Sequence, residues 1–208
     1  QIRASQWRDG AAQAYVSLPQ SDWAKWLPSS MTQGWTIKKF KAGGEFWFNW
    51  GKGTVQSATA RLNAPAFSGA YADRKPATID NLALHAWLER GEQGYNLVLD
   101  SLAMSLGDTR WETRAQVQQF KGTDTAQERW HLQADHVNLT PITPLLDALA
   151  PWPEGVAKVV DQLKATGTLR NVLADFRPHV SGDQKLSFAA NLQQVGFNAT
   201  HGAPAARN

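Results

Sequence analysis

The chain has 208 residues, 42% apolar and 19% charged, with a net charge of +3. A soluble domain usually carries about 25% charged residues, so part of this surface is expected to face something other than water. The cations are scattered, with only Lys38, Lys39 and Lys41 close together, which argues against a nucleic-acid surface; the lack of cysteine excludes disulfides, thiolate metal sites and cysteine nucleophiles.

In chain order, the first element is a short helix, Asp22 to Leu27, which Ser21 can cap and Pro28 stops. Alternation with period two follows. Phe46, Phe48 and Trp50 share one face, with Glu45, Trp47 and Asn49 on the other. Gly51-Lys52-Gly53 then makes a turn. Leu82, Leu84, Ala86 and Leu88 alternate with Asn81, Ala83, His85 and Trp87. Tyr95, Leu97 and Leu99 alternate with Asn96, Val98 and Asp100. Trp111, Thr113, Ala115 and Val117 share a face, as do Trp130, Leu132 and Ala134. The segments between them, 89–94, 106–109 and 121–124, have turn chemistry and are short, so consecutive strands are expected to pair as an antiparallel meander. A second helix is expected with Thr143 as cap, Pro144 at its first position and Pro151 beyond its end. A third is expected from Val156, Val159, Val160 and Leu163. Leu186, Phe188, Ala190 and Leu192 close the series as a last strand. No run approaches the roughly 18 apolar residues of a membrane-spanning helix.

An internal repeat also shows. Val16-Ser17-Leu18-Pro19 corresponds to Val137-Asn138-Leu139-Thr140, and Lys39 to Phe46 corresponds to Gln162 to Leu169. Each copy reads strand, short helix, linker, glycine, strand, which predicts an elongated array with units at about 14–136 and 137–208, the second incomplete. Gln1 is not an initiator, so the chain is read as one segment, 1–208, of something longer.

A search for chemistry finds none. His131 and His136 are an odd number of residues apart and point to opposite faces of a strand, which spoils a metal site. Gly51-Lys52-Gly53-Thr54 lacks the leading glycine and spacing of a phosphate loop. Pairs such as Asp108/Glu112 or Asp73/Asp80 are what any chain with 18 carboxylates offers. Asn138-Leu139-Thr140 and Asn198-Ala199-Thr200 match a three-residue sequon that arises readily by chance. No catalytic residue, metal or cofactor is expected, and the chain is read as not an enzyme. The apolar strand faces remain as the candidate surface. They could form the core of a sandwich or line an open groove, and the ten tryptophans suit a core, a carbohydrate platform or a membrane interface alike.

The order of pieces resembles the YhdP family of AsmA-like bacterial envelope proteins. The resemblance rests on Val16-Ser17-Leu18-Pro19 with Trp26-Leu27-Pro28, on the strand ending at Trp50, and on the run from Trp130 to Ile142. Ala165 to Leu169 and Phe188 to Leu192 continue it. It implies a mainly β fold: an elongated, strongly twisted antiparallel sheet curved into an open U-shaped groove, with about three short helices. It implies a parent protein anchored in the inner membrane and spanning the periplasm, similar to bridge-like lipid-transfer proteins. Such a parent would move phospholipid between inner and outer membranes and support the outer-membrane permeability barrier. The partners would be phospholipid acyl chains and adjoining segments of the parent chain, with membrane contact only through the parent and no nucleic acid. From their shared alternating faces, Phe46, Phe48, Trp50, Leu82, Leu84, Leu97, Leu99, Trp130, Leu132, Leu186 and Phe188 are expected to line the groove. The alternatives are a non-catalytic, Trp-rich β-sandwich that binds carbohydrate, or a structural spacer of an envelope protein.

Overall fold

The structure is a computed structural model and describes residues 2–6, 10–25, 27, 32, 34–122, 128–149, 164–180 and 185–198. Ten strands follow one another: β1 (Ile2–Gln6), β2 (Ala12–Asp22), β3 (Trp35–Gly51), β4 (Thr54–Tyr71), β5 (Ala77–Gly91), β6 (Gly94–Leu106), β7 (Thr109–Phe120), β8 (Arg129–Asn138), β9 (Thr166–Phe176) and β10 (Leu186–Gly196). All ten belong to a single antiparallel sheet in strict chain order, with β1 and β10 at its two edges, so the sheet is open. The meander follows from the short turns. Gly51-Lys52-Gly53 and Gly91-Glu92-Gln93-Gly94 reverse the chain in two or three residues, and Gly94, at φ 152, takes a backbone conformation that only glycine adopts easily while a Cβ there would run into the Gln119 carbonyl.

One α-helix, α1 (Leu139–Leu149), is present among the described residues, not the three short helices expected. The segment expected as the first helix instead continues β2 through Asp22 and makes a single 3₁₀ turn, Trp23–Lys25. Pairing of Ser21 with Ala42 and Asp22 with Lys41 outweighs the local capping signal. The expected third helix, Val156 to Leu163, lies outside the described residues, as does most of the linker in the second repeat unit. Helix α1 starts one turn earlier than expected. Asn138, not Thr143, is its cap: the Asn138 side-chain oxygen accepts from the Thr140 amide at 3.2 Å. Pro144 therefore sits inside the helix, where it donates no hydrogen bond to the preceding turn.

The helix leaves β8 without a loop and lies on one face of the sheet. Leu145 packs with Ile79, Met104 and Trp111, and Phe67, Leu82, Leu102, Ile142 and Leu149 pack around them. Its far end is tied down from a distant strand, β3, and from the β4–β5 connection. The Trp35 indole donates to the Leu149 carbonyl at 2.9 Å, and the Arg74 guanidinium donates to the Asp147 carbonyl at 2.8 Å. These are carbonyls that a helix C-terminus leaves without partners of its own. Among the described residues, the buried ones larger than valine all belong to this cluster, and no large side chain is fully buried.

Ile79 and Leu82 both enter that cluster although they stand three positions apart. In a regular strand they would face opposite sides. Asn81 resolves this by taking a left-handed φ of 53 opposite the unpaired Pro65, which switches the parity of β5. Asn171, at φ 50, interrupts β9 in the same way beside the unpaired Asp135.

Candidate functional site

The register assembles rows of side chains that run across the strands. One row reads Ala14, Phe48, Ala58, Leu88, Leu97, Val117, Leu132, Ala174 and Phe188, one residue from each of β2 to β10. A second reads Val16, Phe46, Ala60, Ala86, Leu99, Ala115, Ala134 and Val172. Directly opposed residues of an antiparallel pair share a face, so both rows lie on the face that carries α1. The neighbouring row on the reverse face is Gln13, Asn49, Ser57, Glu89, Asn96, Gln118, His131, Asp175 and Ser187, without an apolar residue. The apolar face is thus continuous over nine strands. The next row of the reverse face, Tyr15, Trp47, Thr59, Trp87, Val98, Gln116, Gln133, Leu173 and Ala189, mixes apolar and polar residues, so the back is more polar but not uniformly so.

Among the described residues only α1 and the 3₁₀ turn at Trp23 lie over this face. A sandwich needs a second sheet about 10 Å away, and every described strand lies in the one sheet. Among the described residues the two-sheet architecture of a carbohydrate-binding sandwich is therefore missing. Beyond the helix this face stays partly open to solvent: Leu132 is 37% exposed, Trp50 47% and Phe188 57%. Trp23 reaches over from its 3₁₀ turn to pack on Phe40 and Phe46, with ring centroids 5.3 and 6.3 Å apart.

The two margins of the face differ. At one margin lie α1 and the β2–β3, β4–β5 and β6–β7 connections. At the other, the hairpin rim, lie the β3–β4, β5–β6, β7–β8 and β9–β10 connections. The last apolar-face row before the hairpin rim contains Tyr95, Gln119, Trp130, Phe176 and Leu186. Here the Glu128 carboxylate accepts from Gln119 at 2.8 Å and the Trp130 indole at 3.1 Å, and contacts His179 at 3.3 Å. The Gln119 bond, followed by the His179 and Trp130 bonds and the His179 charge, holds this carboxyl below its ordinary range, against partial burial, which pushes it up.

All eleven residues expected to line a groove share this face. Leu82 belongs to the cluster under α1, whereas the other ten lie outside it. The sequence reading passed over the residues between them. Strand β4 supplies Ala58, Ala60, Leu62 and Ala64, and β2 supplies Ala14 and Val16. Their alternation, Ser57-Ala58-Thr59-Ala60-Arg61-Leu62-Asn63-Ala64, was the available signal, weakened because alanine is a poor marker of a strand. Among the described residues Thr113 is the one polar side chain buried on the face. Its hydroxyl donates to the His136 carbonyl at 2.7 Å and accepts from the His136 amide at 3.4 Å, where β8 leaves β7 to enter α1.

The histidines do not converge. His131 pairs with Asp175 at 3.1 Å and His85 with Asp100 at 3.3 Å. Among the described residues no three metal-ligating side chains could hold an ion.

The family model described as YhdP protein matches residues 1–208. The chain belongs to the YhdP family. Neither the curated proteins nor the solved structures contain a match to it. Membership of the YhdP family fits an envelope protein with a role of the lipid-transport kind, and among the described residues of this YhdP segment no helix is long and apolar enough to cross a membrane.

Proposed function

We propose that this chain is a non-catalytic section of a periplasm-spanning, AsmA-like protein that carries phospholipid along a hydrophobic β-groove between the inner and outer membranes. The parent, anchored in the inner membrane, would thereby support the outer-membrane permeability barrier. The observation that carries the reading is the row from Ala14 to Phe188, apolar on nine successive strands with no second sheet over it among the described residues.

Eight strand spacings of about 4.8 Å make a path of roughly 38 Å. Each buried methylene gains about 0.8 kcal/mol, so a 16-carbon chain gains at most about 12 kcal/mol. The repetition matters as much as the depth. Leu88, Leu97, Val117 and Leu132 offer similar contacts one after another, without a polar anchor to arrest the chain. Helix α1 supports a curled sheet. It runs from the end of β8 to the Trp35 side chain on β3, and its 11 residues span about 16 Å. Five strand spacings laid flat cover about 24 Å; a sheet curved towards the helix, together with the reach of the indole, closes the gap. The open edges of β1 and β10 are where adjoining segments of the parent would continue the sheet.

The test places a photo-crosslinking residue at Phe48 in the complete protein and, separately, a carboxylate at Leu99. Both sites are half-buried on the open face, so the charge can reach water and the fold should survive. Phospholipid adducts at Phe48 and loss of lipid passage with Leu99→Asp are expected. Full passage by a folded Leu99→Asp protein would overturn the groove, and adducts at other sites with none at Phe48 would reassign the face.

A further inference from the structure

The geometry points to a headgroup rail: the hairpin rim, not the helix margin, carries the anionic phosphodiester headgroup of a lipid whose chains lie on the apolar face. This rests on the lipid-groove reading and gives that groove an orientation.

Three observations converge. First, each described connection along this rim carries a cation: Lys52 after β3, Arg90 before the β5–β6 turn, Lys121 after β7, and Arg177 and Lys185 between β9 and β10. All five are exposed, and none pairs with a carboxylate among the described residues. At the opposite margin Lys25 is paired with Asp22 and Arg110 with Glu112, and Arg74 is committed to the Asp147 carbonyl. Lys75 and Lys164 are exposed there without an ion pair among the described residues, so the margins differ less in charge than in the room that α1 leaves. Of the rim's described carboxylates, Glu128 is engaged by Gln119, Trp130 and His179 and Asp175 by His131, which leaves Glu89 and Glu92; Asp124 and Asp183 of the same connections lie outside the described residues. Second, the rings just inside the rim are those that suit a boundary between hydrocarbon and water. Trp50 and Trp130 are exposed, Arg90 stands over the Tyr95 ring at 5.7 Å, and Lys185 stands over Phe176 at 5.8 Å. Third, the helix margin is occupied, because α1 fills the apolar face there through Leu145 and closes on Trp35 and Arg74.

Successive hairpins are two strands apart, about 9.6 Å. That is close to the screening length of roughly 8 Å at physiological salt. A phosphate moving along the rim would therefore never be far outside the field of one cation before entering that of the next. The attraction is spread along the path, as movement requires, and does not collect in one deep well.

The experiment uses the complete protein with the crosslinker at Phe48 and vesicles that supply either phosphatidylglycerol or diacylglycerol, which lacks the phosphate. The variant is Lys52→Glu, Lys121→Glu and Arg177→Glu together, with the same three changed to Gln as a milder form. Phosphatidylglycerol adducts should fall roughly fivefold or more with the charge reversal, the factor that corresponds to about 1 kcal/mol for the one cation a headgroup meets at a time. They should fall less with the Gln form, and the loss should shrink as salt rises. Diacylglycerol adducts should stay as in the unaltered protein, which also shows that the groove is folded. Unchanged phosphatidylglycerol adducts in the charge-reversed protein would overturn the rail. So would weaker binding of the protein to the vesicles with the same adduct yield per bound molecule, which would make the rim a membrane-docking surface. No adduct with either lipid in the unaltered protein would mean instead that the groove reading itself has failed.

Discussion

Truncating one leucine under α1 and one on the open face separates a single-layer sheet from a covered one. Leu145 is 6% exposed in the cluster with Ile79, Met104 and Trp111, whereas Leu132 is 37% exposed in the row between Val117 and Ala174. Leu→Ala removes three carbons, worth about 2.4 kcal/mol when fully buried. At Leu145 nearly all of that is lost, and the enclosed space left behind adds to it, so Leu145→Ala should cost about 3–4 kcal/mol. At Leu132 about two thirds of the side chain is buried, and solvent reaches the vacated space, so no closed cavity remains. Leu132→Ala should cost about 1.5 kcal/mol at most. The assay is urea unfolding followed by tryptophan fluorescence, reading midpoint shifts at an unchanged slope. Equal losses, within about 0.5 kcal/mol, would refute the reasoning, because Leu132 would then be covered by a further layer.

Two other perturbations test local features. Because its folded pKa lies below the ordinary 4.5, Glu128 contributes stability that is present above 4.5 and is lost as pH falls through the folded value; Glu128→Gln should remove that acid-side loss from a plot of unfolding midpoint against pH, and an unchanged plot would discount the Gln119, Trp130 and His179 contacts. At Asn81, whose φ is 53, Asn81→Val should cost about 1–2 kcal/mol or more while Asn81→Gly costs little; thermal unfolding decides, and equal effects of the two would mean that the left-handed turn is not needed.

Much of the face was legible in the sequence because it depends on a period of two. Leu97 and Leu99, or Trp130 and Leu132, need only alternation to share a side, and short Gly-rich turns are enough to make neighbours of consecutive strands. The helices were less legible. The cap signal at Ser21 is local, and it lost to ladder pairing with β3, a partner about 20 residues away. At the second helix Pro144 marked a helix but misplaced its start, since Asn138 could serve as cap only once β8 ended there. The parity switch at Asn81 was invisible, because an asparagine in a strand pattern carries no sign of its φ.

By itself, then, the sequence determined an antiparallel meander with one apolar and one polar side, since alternation and turn chemistry act over a few residues. Only the tertiary structure decided what that apolar side meets. Whether a second layer stacks on it depends on where ten strands close or stay open, and on a helix held across the sheet by Trp35 and Arg74, 114 and 73 residues from the carbonyls they bind. Those are contacts between distant parts of the chain, and no local pattern encodes them. The difference between the helix margin and the cationic hairpin rim comes from the same source, because Lys52, Arg90, Lys121 and Lys185 become a row only when the register sets their hairpins side by side.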